Sequence, residues 1–194
     1  MLAAIILSGG ASRRMGSPKA LLSYQGRPFL EHLLEVARHP KIGVRRVVLG
    51  ADAEPIAKEV HLATDEIVIN AQWEKGQLSS LQAALRTLPS QTEGAMLLLI
   101  DHPLISATLV DELIESFYAS RKPIVLPVYE GRRGHPVIFS SSLYEELMNA
   151  PLDEGARSVV WAHAAEVQAV QTGEEGCVLN LNDPDTLKKA LGGP

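Results

Sequence analysis

The stretch that organises this chain is residues 3–19, AAIILSGGASRRMGSPK, in which an apolar run leads directly into a glycine-rich loop. The run Ala3–Leu7 is too short for a buried helix and predicts a buried strand. The small residues that follow let the backbone approach a ligand closely and turn its N–H groups toward an anion. Arg13, Arg14 and Lys19 add positive charge to the same loop. The stretch therefore predicts a loop that holds the phosphates of a nucleoside triphosphate.

The spacing within this loop differs from that of the two commonest phosphate-binding motifs. A P-loop needs Gly-Lys-Ser/Thr at the start of a helix, whereas Ser17 and Pro18 separate Gly16 from Lys19 here. The chain also has no Gly-x-Gly-x-x-Gly, the fingerprint of dinucleotide-binding folds. A plain strand-to-loop turn with solvated arginines is the alternative, and the three cations and the third glycine favour the phosphate loop.

Apolar periodicity in the rest of the chain predicts helices that alternate with short strands, a pattern typical of a mostly parallel sheet covered by helices. The most continuous apolar run, Ala95–Ile100, is expected to be a central strand buried on both faces. The predicted helices are Arg27–Arg38, Asp52–His61, one ending near Leu88, Ala107–Ser120, Ser142–Asn149, one opening at Leu152–Arg157, and Pro184–Leu191. The other predicted strands are Val44–Leu49, Glu66–Asn70, Ile124–Val128, a hairpin-like pair within 129–139, and an edge strand at Val167–Val170.

Composition and length predict a single globular domain over residues 1–194. The chain is 46% apolar and 21% charged, and its formal charge of −5 argues against a nucleic-acid-binding surface. The first apolar run is brief and leads into the glycine loop, and no stretch has the length of a membrane span, so we expect a cytoplasmic protein that does not enter a membrane. The one cysteine, Cys177, is expected to be a small buried residue.

Asp101 directly follows the expected central strand, in the sequence Asp101-His102-Pro103. Ligands of open α/β sheets bind at the carboxyl ends of the strands, where this carboxylate is expected to lie. Mg²⁺ prefers oxygen ligands and commonly bridges carboxylates to substrate phosphates. The next helix is predicted to begin near Ala107, too far along for Asp101 to cap it. Asp101 is therefore the leading candidate for a magnesium ligand, and His102 is interpreted as incidental.

The glycine loop also carries a family resemblance. Its pattern Leu-Ser-Gly-Gly-x-Ser-x-Arg-Met-Gly-x-x-Lys resembles the signature of the nucleotidyltransferases that attach a nucleotide to molybdopterin, the molybdenum cofactor cytidylyltransferases and guanylyltransferases. The resemblance implies a three-layer Rossmann-like nucleotidyltransferase fold, an α/β fold with a mostly parallel central sheet. It implies that Arg14 and Lys19, together with Asp101, are catalytic residues that neutralise phosphate charge. The loop residues implied to hold the nucleotide are Leu7, Ser8, Gly9 and Gly10.

Later motifs extend the resemblance over nearly the full chain. The stretch 70–81 resembles Asn-x-x-Trp-x-x-Gly-Met-Ser-Ser-Ser-Leu, which borders the family's nucleotide site. It implies nucleotide-binding roles for Asn70, Gly76 and Ser79. Gln77 and Leu78 stand where the family usually has Met and Ser, so this chain departs from the pattern there.

Two motifs resemble the acceptor side of the family. Gly134-His135-Pro136, followed by an apolar strand, and the segment 153–157, Asp-Glu-Gly-Ala-Arg, match the family's Gly-His-Pro and Asp-x-Gly-Ala-Arg. They imply acceptor-binding roles for Arg133, His135 and Arg157, and Arg132 is a further cation for the acceptor's phosphate. Without the resemblance, the same arginines would be interpreted as solvated residues of a surface turn.

Near the end of the chain, residues 180–186 resemble the family's Asp/Asn-x-Asp/Asn-Thr-Pro-Glu-Asp. The match places Asn180 and Asn182 on the family's ligand positions and implies that Asn182 is a second metal ligand through its amide oxygen. Asp183 takes the threonine position, where it either acts as a ligand or caps the last predicted helix.

These motifs predict magnesium-dependent transfer of CMP from CTP to the phosphate of molybdopterin, with release of pyrophosphate. The expected partners are the nucleoside triphosphate, molybdopterin, and a molybdoenzyme or maturation protein. The glycine pair at 9–10 leans toward GTP instead, and a sugar phosphate or similar compound is an alternative acceptor. A protein that binds nucleotide without catalysis is an alternative of another class, suggested by the uncharged Asn180 and Asn182.

Overall fold

The computed structural model describes residues 1–11, 16–182 and 186–187. Its central sheet has the strand order β10-β7-β9-β6-β1-β4-β5, and the short strand β8 pairs with the end of β7. Neighbours are parallel except where β9 inserts antiparallel between β6 and β7, and where β8 pairs antiparallel with β7. The strands of this sheet are β1 (Leu2–Ser8), β4 (Ile42–Leu49), β5 (Ile67–Ile69), β6 (Gly94–Leu99), β7 (Ile124–Tyr129), β8 (Arg132–Arg133), β9 (Val137–Ser140) and β10 (Val167–Gln171). The predicted α/β fold with a mostly parallel central sheet is confirmed.

Helices cover both faces of the sheet and make the fold three-layered. Side chains alternate along β1, so that Ala4 and Ile6 pack on one face while Ile5 and Leu7 pack on the other. The first face is covered by α1 (Phe29–Val36), α2 (Ala53–Glu59) and α4 (Ala107–Ser120), and the second by α3 (Gln77–Leu85), α5 (Tyr144–Asn149) and α6 (Arg157–Ala162). The apolar run of β6 is buried on both faces, as predicted.

Several helix ends differ from the predicted ones for local reasons. The first helix begins at Phe29 rather than Arg27, because β3 (Arg27–Pro28) pairs with β2 (Ser23–Tyr24) through a turn at Gln25 and Gly26. The third helix ends at Leu85 rather than Leu88. Residues 152–156 form turns, so the helix predicted there begins only at Arg157. The predicted last helix falls almost wholly outside the described residues.

The carboxyl ends of three neighbouring parallel strands meet at one edge. Ser8 pairs with Leu49, and Leu7 pairs with Leu99, so β1, β4 and β6 end at nearly the same level. The residues that follow these strands, among them Gly9, Gly50 and Asp101, therefore lie beside one another. The site described below occupies this edge.

Replacing Leu98 by alanine tests the importance of the central strand. Leu98 is fully buried on β6, and truncation is expected to lower the free energy of unfolding by about 2–5 kcal/mol. Urea denaturation measures the change. The matched control is Ile69→Ala on edge strand β5, where the side chain is exposed and the expected loss is within about 0.5 kcal/mol. Equal losses in the two variants would contradict the burial pattern.

A histidine joins α5 to the end of α6. His163 lies within 2.8 Å of Glu166 through Nδ1 and within 2.8 Å of Glu146 through Nε2. These two carboxylates raise the pKa of His163 above its ordinary value of 6.5, because they accept hydrogen bonds from the protonated ring.

The sign of this shift gives a pH dependence. A pKa raised by folding means that the charged ring stabilises the fold fully below the ordinary value of 6.5, and that the contribution disappears as the pH rises through the raised pKa. We expect His163→Gln to lower the urea midpoint near pH 5.5 and to have little effect near pH 9. A loss of equal size at both pH values would show that His163 acts through packing instead.

Candidate active site

The first cavity, of about 230 Å³, lies at the carboxyl ends of β1 and β6 and extends toward α2 and α3. It gathers side chains and backbone from five separate parts of the sequence. Its lining residues are Leu7, Ser8, Gly9, Gly10, Pro18, Lys19, Ile56, Trp73, Gly76, Gln77, Ser80, Ile100 and Asp101. The structure thus brings together the predicted loop residues 7–10, Lys19, Gly76 and Asp101. Arg14 and Arg13 lie outside the described residues.

Two glycines allow the loop after β1 to pack closely on the loop after β4. Gly9 O accepts a hydrogen bond from Ala51 N at 3.2 Å. A Cβ atom at Gly50 would overlap the carbonyl oxygen of Gly9 and would lie 2.7 Å from Cβ of Trp73. A Cβ atom at Gly9 would lie 3.0 Å from Oγ of Ser80. The glycines therefore make room for neighbouring protein atoms at the floor of the cavity.

Asp101 stands at the cavity wall with one oxygen bound and one unbound. Its Oδ2 accepts a hydrogen bond from Asn180 Nδ2 at 2.9 Å, and its backbone oxygen accepts one from Leu181 N at 2.8 Å. Its Oδ1 is buried and has no hydrogen-bond partner among the described residues. A buried carboxylate oxygen without a donor is costly, so this atom is suited to a bound cation.

The segment 180–182 contacts both charged groups of the cavity. Asn180 and Leu181 bind Asp101, and Oδ1 of Asn182 accepts a hydrogen bond from Nζ of Lys19. Lys19 and Asp101 thus lie on the same side of the cavity, linked through three consecutive residues. Asn182 is predicted to bind a metal through its amide oxygen, but in the structure this oxygen accepts the hydrogen bond from Lys19. Asp183 lies outside the described residues.

The loop between β5 and α3 is held by an internal network of hydrogen bonds. Nδ2 of Asn70 donates to Oγ of Ser79 at 2.9 Å and to Oγ of Ser80 at 3.0 Å. Oδ1 of Asn70 accepts from Gln72 N, and Oγ of Ser79 donates to the backbone oxygen of Gly76. Asn70 and Ser79 are buried behind the wall, while Ser80, which the sequence did not single out, lines the cavity.

The second cavity, of about 650 Å³, shares Gly76 and Gln77 with the first. It contains the three predicted acceptor-binding residues, Arg133, His135 and Arg157. Arg132, the further predicted cation, belongs to the same short strand as Arg133 but does not line the cavity. The motifs after β7 and before α6, far apart in sequence, therefore meet beside the first cavity.

The buried ring of His102 packs against the half-buried ring of His135, which lines the second cavity. The rings of His102 and His135 are 5.1 Å apart, and Nδ1 of each has no hydrogen-bond partner among the described residues. Burial lowers the pKa of His102, and burial also lowers the pKa of His135 to about 4. Both rings are therefore neutral at pH 7. His102, which the sequence predicts to be incidental, therefore contacts His135, a residue that lines the second cavity.

An α/β sheet with a glycine loop, a lysine and a carboxylate at its carboxyl edge has the architecture of a nucleotidyltransferase. The model of the MobA-like NTP transferase domain matches residues 4–167 of the chain. The chain belongs to this family.

The relatives of the chain include a protein named as an oxidoreductase and proteins named as guanylyltransferases. A nicotine blue oxidoreductase of Paenarthrobacter nicotinovorans is 32% identical over 79% of this chain and 78% of its own length. A molybdenum cofactor guanylyltransferase of Shewanella sediminis is 28% identical over 94% of this chain and 91% of its own.

The fold is shared with solved structures. The crystal structure of Rv0371c from Mycobacterium tuberculosis H37Rv is 26% identical and covers 99% of this chain and 97% of its own, with a TM-score of 0.85. A structure of the same protein in complex with manganese has a TM-score of 0.76 at 23% identity and covers 100% of this chain and 99% of its own. Within the described part of this chain, no helix combines the length and apolar character needed to cross a membrane.

Replacing Gly50 by alanine tests the close packing at the cavity floor. The new methyl group overlaps backbone of the glycine loop, so we expect the free energy of unfolding to fall by about 1–3 kcal/mol and nucleoside triphosphate binding to weaken. Urea denaturation and calorimetric titration measure the two effects. Gly173→Ala is the matched control, because a Cβ atom there meets no atom within 4 Å. Unchanged stability and nucleotide affinity in Gly50→Ala would contradict the packing.

Proposed function

We propose that this enzyme transfers a nucleoside monophosphate from a nucleoside triphosphate to the phosphate of molybdopterin and releases pyrophosphate. The observation that carries the proposal is the pair of adjoining cavities. The first is lined by the glycine loop, Lys19 and Asp101, and the second by Arg133 and Arg157. Relatives named molybdenum cofactor guanylyltransferase support molybdopterin as the acceptor.

In the proposed reaction, an oxygen of the acceptor's phosphate attacks the α-phosphorus of the nucleotide in line. A new P–O bond forms, the bond from the α-phosphorus to the bridging oxygen breaks, and pyrophosphate leaves with the electron pair. The attacking phosphate is already anionic at neutral pH and needs no strong base. The chain's contribution is positioning and charge neutralisation. Backbone N–H groups of the glycine loop and the ammonium of Lys19 would bind the triphosphate.

A divalent cation, Mg²⁺ in our proposal, would be held by Asp101. The free Oδ1 of Asp101 and the amide oxygen of Asn182 are the hard oxygen donors that such an ion takes, although Asn182 would first have to give up its bond with Lys19. The ion would supply charge neutralisation on the phosphates. The manganese complex of the M. tuberculosis neighbour supports a divalent ion in this fold.

Asp101→Asn tests the metal role. Loss of the anionic donor is expected to lower kcat/KM for pyrophosphate release by about 100-fold or more at saturating Mg²⁺. The control is Glu54→Gln, which removes a charge from α2 outside the cavity lining and should retain wild-type release. Wild-type release by Asp101→Asn, with the same melting temperature, would exclude this role.

We propose that the nucleotide substrate is CTP rather than GTP. The glycine at position 9 favours guanine by resemblance, since a missing side chain would enlarge the site. Here, however, Ser80 and Trp73 fill the space next to Gly9, with Oγ of Ser80 at 3.0 Å from the position of a Cβ atom. The acceptor-side motifs around His135 and Arg157 resemble the cytidylyl branch. The guanylyltransferase names of several relatives favour the alternative.

Competition between CTP and GTP in the presence of Mg²⁺ and molybdopterin decides the base. We expect kcat/KM for CTP to exceed that for GTP by about tenfold or more. A preference for GTP would overturn the cytidylyl assignment and leave the transfer reaction intact.

Gly9→Ala adds a second test of the base site. The methyl group must displace Ser80, so we expect KM for the nucleotide to rise by about tenfold, and Gly9→Ala/Ser80→Gly to recover most of the loss. Steady-state kinetics with varied nucleotide measures both. If the double variant is no better than Gly9→Ala, the conflict between these two positions is not the cause.

Three further assays separate the remaining alternatives. Sugar phosphates in place of molybdopterin test another phosphorylated acceptor. Nucleotide binding without pyrophosphate release on every acceptor would favour a binding protein. Because one relative is named an oxidoreductase, oxidation of a reduced nicotinamide dinucleotide is followed in parallel. Turnover in that assay without nucleotidyl transfer would overturn the proposed reaction.

A further inference from the structure

The second cavity contains two of the three large apolar side chains that stand exposed in the described part of the chain. Leu152 and Trp161 line it, with 40% and 59% of their surface exposed, while the third, Ile69, lies on edge strand β5. An exposed indole offers a large, rigid apolar surface that is stabilised when a ligand covers it. The position of Trp161 therefore points to a ligand with a flat apolar face.

A cation lies over the same indole. Arg157 and Trp161 are separated by one turn of α6, and the guanidinium carbon of Arg157 is 5.3 Å from the centre of the Trp161 ring. Among the residues that the structure describes, neither Arg157 nor Arg133 forms an ion pair with a carboxylate. The cavity thus combines an aromatic surface with guanidinium groups suited to an anion.

We propose that Trp161, supported by Arg157, is the surface on which the planar aminopyrimidinone ring of the acceptor's pterin stacks, and that it determines which acceptors the enzyme accepts. The inference rests on the proposed function, because it assigns a specificity role within the same acceptor site. The apolar residues Leu126 and Phe139 line the same cavity and suit a ring with no charge of its own.

Carboxylates at the same cavity select among flat rings. Asp153 and Glu154 are exposed and line the cavity together with Trp161. The aminopyrimidinone edge of a pterin presents adjacent N–H donors, which an ionised carboxylate can accept. A ring without these donors would stack on the indole but would leave the carboxylates unbound. A pterin therefore fits this surface better than a sugar or a simple alcohol.

The shared wall connects this ring site to the nucleotide. Gly76 and Gln77 line both cavities, and Arg133 lies in the second. An acceptor with its ring on Trp161 and its phosphate bound by Arg133 would extend toward the first cavity. A ring anchored in this way raises the local concentration of the attacking phosphate, so loss of stacking should appear in KM for the acceptor.

Fluorescence tests the ring site without turnover, because the chain has two tryptophans and each lines a different cavity. In the Trp73→Phe variant, Trp161 is the sole reporter, and 6-hydroxymethylpterin is expected to quench it saturably. In the Trp161→Leu variant, which lacks the stacking surface, Trp73 is the sole reporter, and CTP is expected to quench it while 6-hydroxymethylpterin is not.

Kinetics provides the second readout. Trp161→Leu removes the aromatic face and is expected to raise KM for molybdopterin by about tenfold, with KM for CTP unchanged. Trp161→Phe retains an aromatic ring and should recover most of the loss. Absence of pterin quenching in Trp73→Phe, together with a wild-type KM for molybdopterin in Trp161→Leu, would overturn the inference. If pterin quenches Trp161 but the wild type transfers no nucleotide, the ring site stands and the proposed function fails.

Discussion

The site depends on the register of three parallel strands. Because β1, β4 and β6 end at the same level, the residues that follow them are forced together at one edge of the sheet. Parallel strands require crossover connections, which place helices on both faces and leave this edge open for a ligand. Glycines at positions 9 and 50 then let two of the loops approach more closely than any side chain would allow. The cavity is the space that remains between these loops and Asp101.

The fold could be predicted because its signals are local. The short apolar runs at 3–7 and 95–100 are too brief for helices, and the spacing of apolar residues over 107–120 fixes a helix whose bounds the structure reproduces. The apolar spacing extends the first predicted helix to Arg27 and Pro28, because a strand of two residues leaves no periodic signal. Strand β3 forms because it pairs with β2 through the turn at Gln25 and Gly26.

The site was harder to derive, because several of its residues matter through contacts that sequence spacing does not encode. Asp101 could be found because it ends a buried strand. Gly50 and Ser80 could not, since their importance comes from their distance to Gly9, some 40 and 70 positions away in the chain. The motif at 180–186 predicts one kind of role for Asn180 and Asn182, yet the structure gives them different contacts, Asn180 with the carboxylate of Asp101 and Asn182 with the ammonium of Lys19.

The docking of segment 180–182 and the binding of nucleotide depend thermodynamically on each other, because this segment contacts both Lys19 and Asp101. The ammonium of Lys19 has three N–H donors to divide between Asn182 and a bound phosphate, and a cation at Oδ1 of Asp101 would share the carboxylate charge with the amide of Asn180 on Oδ2. By reciprocity, the factor by which bound nucleotide changes the docking equilibrium of this segment equals the factor by which docking changes the affinity for nucleotide. Residues 180–182 are thus energetically coupled to the glycine-loop side of the cavity through Lys19 and Asp101.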